Sequence, residues 1–163
     1  MTQDGHANVD PHEVQQFDEL ASSWWDTQGP LRTLHHLNPT RVDYVVTRTG
    51  GLHTRRAVDV GCGGGILSEA LAQHGADVVG IDLSAQALDA ACLHLYETGL
   101  QVDYRCVSAE DLGAQEPGTF DLVTCLELLE HVPDPASTIA ACAQLAKPGA
   151  DIFFSTINRT PRA

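Results

Sequence analysis

Lysine is almost absent from this chain. Of its nine basic residues only Lys147 is lysine and the others are arginine, whereas 22 residues are acidic, so the formal net charge is −13. Phosphate binding depends on clustered positive charge, so we do not expect nucleic acid as a partner. No apolar run approaches the ~18 residues of a membrane-spanning helix. The first residues, MTQDGHANVDPHE, are polar and acidic, unlike a signal peptide.

Paired cysteines and the phosphate-binding loop motif are also missing. The five cysteines include no C-x-x-C pair, which argues against a zinc site or a disulfide framework and indicates reduced thiols in a cytoplasmic protein. The pattern G-x-x-x-x-G-K-[ST] does not occur. A length of 163 residues is that of one ordinary domain.

The N-terminal third is expected to be helical. We predict a disordered tail over residues 1–9 and a helical cap over residues 10–55. Asp10 is the expected N-cap of a first helix that ends near Trp25, with Glu13 at capping-box spacing. The second helix is expected to begin at Asn38-Pro39 and to end at Gly50-Gly51.

From residue 56 to residue 163 the pattern changes to alternating strands and helices, which we interpret as an α/β core. Short apolar strands are predicted over 57–60, 78–81, 102–107, 120–126 and 152–156, and helices over 66–74, 84–96 and 134–146. Strands separated by helices indicate βαβ units. The predicted fold class is a Rossmann-like, doubly wound, mainly parallel sheet preceded by two helices, with its ligand at the carboxyl ends of the strands.

A glycine-rich loop, Asp59-Val-Gly61-Cys-Gly63-Gly64-Gly65, follows the first predicted strand. Glycines there allow a sharp turn and a close approach of the backbone to a ligand, although a tight turn alone is the structural alternative. The third glycine of a dinucleotide fingerprint is replaced by Ile66. Asp82 ends the second strand, where a carboxylate can accept hydrogen bonds from a ribose diol or can simply shape the turn before Ser84. This combination suits a nucleoside with a short charged tail, such as S-adenosylmethionine.

Several longer blocks carry a family resemblance. DVGCGGG followed by GIDLS resembles the class I S-adenosylmethionine-dependent methyltransferases, and NVDPHEVQQFDELASSWWD, HHLNPTRVDYV and TCLELLEHVPDP resemble the ubiquinone-biosynthesis O-methyltransferases. The resemblance implies that Arg41, Gly61, Asp82 and Leu126 bind S-adenosylmethionine. It also implies a sheet of seven strands, so the core over 56–163 is expected to be truncated after the fifth strand and to lack the C-terminal strands and lid.

Glu127, Glu130 and His131 follow the fourth predicted strand. If residues 126–131 form a helical turn, spacings of three and four place all three side chains on one face. The resemblance implies that they bind Mg²⁺, which would hold the catecholic oxygens of the substrate and lower the pKa of its phenol. Two other interpretations stay open: His131 alone as the general base, or a purely structural cluster.

The resemblance implies an S-adenosylmethionine-dependent O-methyltransferase that acts on phenolic hydroxyls of polyprenylated benzenediols in ubiquinone biosynthesis. It further implies a cytoplasmic protein in transient contact with the inner-membrane surface, and other ubiquinone-biosynthesis proteins as partners. The alternatives are a truncated, non-catalytic S-adenosylmethionine-binding module and a methyltransferase of another small-molecule acceptor. Trp24-Trp25 is expected to anchor the first helix over the cofactor edge, and His35-His36 to be polar surface on a loop.

Overall fold

The computed structural model describes residues 8–157, so most of the predicted disordered tail and the last residues, 158–163, lie outside the described part. The helices are α1 (Pro11–Leu20), α2 (Arg32–Thr49), α3 (Ile66–Gln73), α4 (Ala85–Thr98), α5 (Ala109–Gln115) and α6 (Pro135–Leu145), and a 3-10 turn, Ala21–Ser23, follows α1. The strands are β1 (Arg56–Val60), β2 (Asp77–Asp82), β3 (Asp103–Cys106), β4 (Phe120–Leu126) and β5 (Ala146–Ser155).

The five strands form one sheet in the order β3-β2-β1-β4-β5, and every neighbouring pair is parallel. The chain therefore winds outward from β1 in one direction and then, after β3, crosses to β4 on the other side. This is the predicted doubly wound α/β fold, and the prediction is confirmed. All strand carboxyl ends meet at one edge, and the reversal of strand order beside β1 creates a crevice there.

Helices cover both faces of the sheet. Successive side chains of a strand point to opposite faces, so the strands contribute to two separate cores. Val58, Val60 and Val123 face a core that includes Leu112 of α5 and Leu145 of α6. Ala57 and Leu122 face the other core, which includes Val45 of α2 and Leu71 of α3. Among the cysteines, Cys62, Cys125 and Cys142 are buried and Cys92 and Cys106 are exposed, and all are free thiols. Within residues 8–157, none of the helices combines the length and the hydropathy needed to cross a membrane.

The N-terminal helices differ from the prediction in three respects. Helix α1 ends at Leu20, and only the 3-10 turn Ala21–Ser23 continues toward the predicted end near Trp25. The Asp10 side chain caps α1 by accepting a hydrogen bond from the His12 amide, but the Glu13 carboxylate contacts His131 instead of closing a capping box. Helix α2 begins at Arg32, so Pro39 lies inside it. A proline has the backbone φ angle of a helix and removes one N–H donor. The helical turn that contains Pro39 is held to α3, because the side-chain Nδ2 of Asn38 donates a hydrogen bond to the Ile66 carbonyl oxygen.

The second half of the core also departs from the prediction. Helix α5, which was not predicted, follows β3 and is capped by the Ser108 hydroxyl, which accepts a hydrogen bond from the Asp111 amide. Strand β5 begins at Ala146, not at Ile152, and its register with β4 shifts between Phe120 and Leu122. Helix α6 ends at Leu145, one residue before its predicted end, and the following Lys147-Pro148-Gly149 segment forms an irregular part of β5.

Candidate cofactor site

An open cleft of about 1210 Å³ lies at the carboxyl edge of the sheet. Its floor is formed by the ends of β1, β2 and β4 with the loops that follow them, and one wall is formed by the chain from Asn8 to Phe17 together with Trp24. Small-molecule sites of parallel α/β sheets lie at this edge, outside the carboxyl ends of the strands. The position of the cleft is therefore that of a ligand site.

The glycine loop turns sharply at the end of β1. The amides of Gly61 and Cys62 both donate to the Ile81 carbonyl oxygen, at 2.8 and 3.0 Å, which ties the loop to the end of β2. Gly63 has a φ of +52°, and a Cβ built on it would lie 2.1 Å from the indole of Trp24. A Cβ on Gly64 would lie 2.2 Å from the same ring. The close packing of Trp24 therefore requires glycine at both positions, and the positive φ is a second reason at Gly63 alone.

Asp82 lies at the end of β2, on the floor of the cleft. Its carboxylate accepts hydrogen bonds from the amides of Gly63 and Ser84, both at 2.8 Å. Burial raises the pKa of Asp82, and the two amide hydrogen bonds oppose that shift. Each carboxylate oxygen has a second lone pair. Asp82 therefore shapes the turn, as one interpretation predicted, and can still accept hydrogen bonds from a ligand.

Asp59, in β1, is a buried carboxyl group on the same floor, only 3% exposed. Its oxygens accept hydrogen bonds from the hydroxyls of Ser68, at 2.7 Å, and Thr124, at 2.9 Å. Burial raises the pKa of Asp59 to about 6, and the nearby charge of Asp82 acts in the same direction. The sequence-based assignment of site residues omitted Asp59, although an acid two residues before Gly61, at the start of the glycine loop, was a visible signal.

The segment after β4 is not the helical turn that the spacing suggested. Glu127 has a φ of +56°, which is unusual for a residue with a side chain, and the chain then makes a turn in which the His131 amide donates to the Leu128 carbonyl oxygen. The Glu127 carboxylate accepts a hydrogen bond from Arg41 at 2.9 Å and one from the Ser155 hydroxyl at 2.7 Å. Arg41 lies inside α2, not in its first turn, because that helix begins earlier than predicted.

His131 is held by the N-terminal helix. Its Nδ1 lies 2.7 Å from Oε2 of Glu13, and the Phe17 ring meets the imidazole edge-on, with ring centroids 5.1 Å apart. Glu130 accepts a hydrogen bond from the Thr156 hydroxyl. Within the described residues, no three His, Cys, Asp or Glu side chains come together as a metal-ligand set. The magnesium site assigned to this trio therefore stays a prediction.

Trp24 and Trp25 anchor the N-terminal segment, as predicted. The Trp25 indole donates to the Gly64 carbonyl oxygen at 2.9 Å and stacks on the ring of His94, with centroids 3.4 Å apart. Nδ1 of His94 in turn contacts the buried Glu69 carboxylate at 2.9 Å. The prediction for His35 is wrong: it lies in α2, and its Nε2 is 2.8 Å from the Trp24 carbonyl oxygen.

The structure brings most of the predicted site residues together. Arg41, Gly61, Asp82, Leu126, Glu127 and His131 all line the cleft, and Glu130 lies beside it without being part of its lining. Sequence reasoning did not include Glu13 or Asn8 among them. Their relevant partners are more than 100 positions away along the chain, so no local signal could have identified them.

Comparisons with known proteins agree with this geometry. The methyltransferase domain family matches residues 58–154. The ubiquinone biosynthesis O-methyltransferase of Aromatoleum aromaticum is 58% identical over 156 residues, which is 96% of this chain and 66% of that protein. The enzyme of the same name from Pseudoalteromonas translucida is 53% identical over 97% of this chain and 67% of that protein. The chain thus spans about two thirds of the length of these relatives.

Solved structures share the fold. The magnesium protoporphyrin IX methyltransferase of Synechocystis, crystallised with bound S-adenosylmethionine, has a TM-score of 0.64 and 26% identity, with 86% of this chain and 74% of that chain covered. A structure from Methanococcus maripaludis has a TM-score of 0.70 at 17% identity, over 94% of this chain and 66% of that one, and shows the fold alone. The glycine loop, the carboxylate after β2, the parallel sheet and these similarities together place the chain in the methyltransferase domain family, among the ubiquinone biosynthesis O-methyltransferases.

Proposed function

We propose that this chain binds S-adenosylmethionine in the cleft and serves the transfer of its methyl group to a phenolic oxygen of a polyprenylated benzenediol in ubiquinone biosynthesis. The observation that carries the proposal is the combination of the glycine loop with Asp82 at the switch point of a parallel sheet. Because the chain spans about two thirds of its relatives, its own turnover is part of the proposal.

The residues of the cleft fit this cofactor. The open lone pairs of Asp82 suit the two ribose hydroxyls. Gly61 lines the part of the cleft that we assign to the methionine moiety, where it packs closely against Leu128. Arg41 gives one hydrogen bond to Glu127 and has further N–H donors for the cofactor carboxylate. Leu126, at the end of β4, would contribute apolar contact.

The cofactor, when bound, supplies an electrophilic methyl group on a sulfonium. In the transfer the carbon–sulfur bond breaks and a carbon–oxygen bond forms, which yields the methyl ether and S-adenosylhomocysteine. The chain has to align the acceptor and take up its phenolic proton. We assign the proton to Nε2 of His131, because Nδ1 is already held by Glu13. The aromatic edge of Phe17 further limits the imidazole orientation.

A magnesium site made by Glu127, Glu130 and His131 remains the alternative that the family resemblance implies. The contacts do not favour it, because Glu127 is paired with Arg41, His131 with Glu13, and Glu130 with Thr156. Metal binding would require at least some of these contacts to be exchanged. Contact with the inner-membrane surface, a cytoplasmic location and other ubiquinone-biosynthesis proteins as partners are likewise proposals that rest on the relatives' shared name.

The test is formation of S-adenosylhomocysteine from S-adenosylmethionine and a short-chain demethylubiquinol, measured with added Mg²⁺ and again with a chelator. We expect His131→Asn to lower turnover by about 10²-fold or more, since a general base contributes 10²–10⁴-fold. His36→Asn, at an exposed position of α2, is the matched control and should be unchanged.

The outcomes separate the candidates. Turnover that survives the chelator and is lost in the His131 variant supports the base. Turnover that is abolished by the chelator assigns the metal to the trio instead. Cofactor binding without turnover favours a non-catalytic module or an acceptor of another chemistry.

A further inference from the structure

The segment from Asn8 to Leu20, here called the N-terminal flap, forms a large part of the cleft wall. Six of its side chains line the cleft: Asn8, Val9, Asp10, Glu13, Val14 and Phe17. A cofactor lying between this wall and the glycine loop would be covered by the flap.

The flap is attached by polar contacts of Asn8, Glu13 and Asp18 and by one partly buried ring, Phe17, which packs against Trp24. No residue of α1 is fully buried. The side-chain Nδ2 of Asn8 lies 2.8–3.0 Å from three acceptors, on Glu110, the Asp134 backbone and Thr138, between which its two hydrogens are shared, and its Oδ1 accepts a hydrogen bond from the Asp134 backbone amide. Asp18 accepts a hydrogen bond from the Ser84 hydroxyl. Segments that bury little apolar surface and depend on partly exposed hydrogen bonds open at low free-energy cost.

The two residues that anchor the flap, Trp24 and Trp25 (here called its root), are held more firmly than the flap itself. Trp24 is only 5% exposed and packs on Gly63 and Gly64, and Trp25 is fixed by the Gly64 carbonyl oxygen and the His94 ring. Between root and flap lies the 3-10 turn Ala21–Ser23. Short 3-10 turns of this kind commonly connect the end of a helix to the next segment. This connector is where the chain would bend if the flap swings while the tryptophans stay in place.

Glu13 connects the flap to the proposed chemistry. It is the flap residue whose carboxylate contacts His131, at 2.7 Å, and Phe17 reaches the same imidazole from one helical turn further along. When the flap is closed, Nδ1 of His131 has a hydrogen-bond acceptor and Nε2 is left for the acceptor phenol. When the flap is open, both constraints on the imidazole are lost.

We propose that the N-terminal flap opens for cofactor exchange, and that Glu13 is a positioning residue that orients His131 when the flap is closed. This inference rests on the proposed function. It couples the orientation of the base to closure of the cleft, because an open flap leaves His131 without its contacts to Glu13 and Phe17.

The experiment combines a rate with a spectroscopic signature. Release of S-adenosylhomocysteine is followed by stopped-flow tryptophan fluorescence for the wild type, Asn8→Ala, Glu13→Ala, Glu13→Gln and the control Glu19→Gln, an exposed acid on the same helix. The ring nitrogens of His131 are observed by NMR in histidine-labelled protein, with His131→Asn for assignment, at a pH where the rings are neutral.

We expect Asn8→Ala and Glu13→Ala to release the product about tenfold faster, because each variant loses one or two hydrogen bonds that hold the flap closed. The control Glu19→Gln should release it at the wild-type rate. The Nδ1–H tautomer of His131 should dominate in the wild type and in Glu13→Gln, which keeps an acceptor oxygen, and should give way to a mixture in Glu13→Ala. Product saturation should sharpen the wild-type tautomer.

Equal release rates in all variants, with binding intact, would overturn the flap. An unchanged His131 tautomer in Glu13→Ala would overturn the positioning role. A folded wild type that binds no S-adenosylhomocysteine would instead overturn the proposed function, and with it the gating of cofactor exchange. The tautomer comparison needs no ligand, so it tests the Glu13 contact in either case.

Discussion

The buried carboxyl group of Asp59 makes a signed prediction about stability and pH. Its pKa is raised from an ordinary value of 3.8 to about 6 in the folded chain, chiefly by burial. A group whose folded pKa is raised contributes stability that is complete below pH 3.8 and is lost as the pH rises through 6. One pKa unit corresponds to 1.36 kcal/mol, so the ionisation removes about 3 kcal/mol.

The perturbation is Asp59→Asn, which cannot ionise and can keep contacts to the hydroxyls of Ser68 and Thr124. The free energy of unfolding of the variant relative to the wild type should rise by about 3 kcal/mol between pH 4 and pH 7 and then level off. The assay is urea denaturation at a series of pH values, with the slope of each transition checked for constancy.

Asp121→Asn is the control of opposite sign. The hydrogen bond from Lys147, assisted by the Arg56 amide, lowers the pKa of Asp121, so its carboxylate adds stability above its ordinary pKa and loses it as the pH falls. This variant should therefore become relatively less stable as the pH rises. A flat difference for Asp59→Asn across the range, or one with the sign of the control, would refute the assigned burial effect.

Three further predictions concern the cleft and its surroundings. Asp82→Ala should weaken S-adenosylmethionine binding at least tenfold in calorimetry, since a hydrogen bond to a charged group contributes about 1.5–3 kcal/mol. A loss of binding free energy of only about 0.3 kcal/mol, far below that range, would contradict the ribose role of Asp82. Gly64→Ala should lower the unfolding free energy by about 3 kcal/mol, because the added methyl group would overlap the Trp24 ring. Gly50→Ala should cost less, because the space around Gly50 is open. Equal losses for the two variants in urea denaturation would contradict this. Tyr104→Phe should raise the stability by about 1 kcal/mol, because the buried hydroxyl has no hydrogen-bond partner among the described residues; a lower melting temperature would count against it.

Local patterns predicted the sheet well, and they also singled out the glycine loop and Asp82, which line the cleft. Strand β4 was predicted with its observed bounds, and Gly50 and Gly99 end their helices in the left-handed conformation, as expected of glycine stops. The glycine loop and Asp82 were recognisable because a strand, a turn and a carboxylate follow one another within a short stretch. Such signals depend on neighbours in sequence.

The errors arose where tertiary contacts decide the local structure. Helix α5 is short and contains Gly113, yet it forms because that glycine allows close packing against Ala141 and Gln144 of α6. Helical spacing suggested a turn of helix after β4, but the positive φ of Glu127 redirects the chain there. The Glu13–His131 contact joins positions 118 apart, so neither residue's sequence surroundings reveal it.

The central claim is that the cleft at the carboxyl edge of the sheet is an S-adenosylmethionine site. Isothermal titration of the folded chain with S-adenosylmethionine tests it most directly, with circular dichroism to establish folding. We expect saturable one-to-one binding that S-adenosylhomocysteine displaces and that Asp82→Ala weakens at least tenfold. A folded chain that gives no binding heat at millimolar ligand, at two temperatures, would contradict the claim.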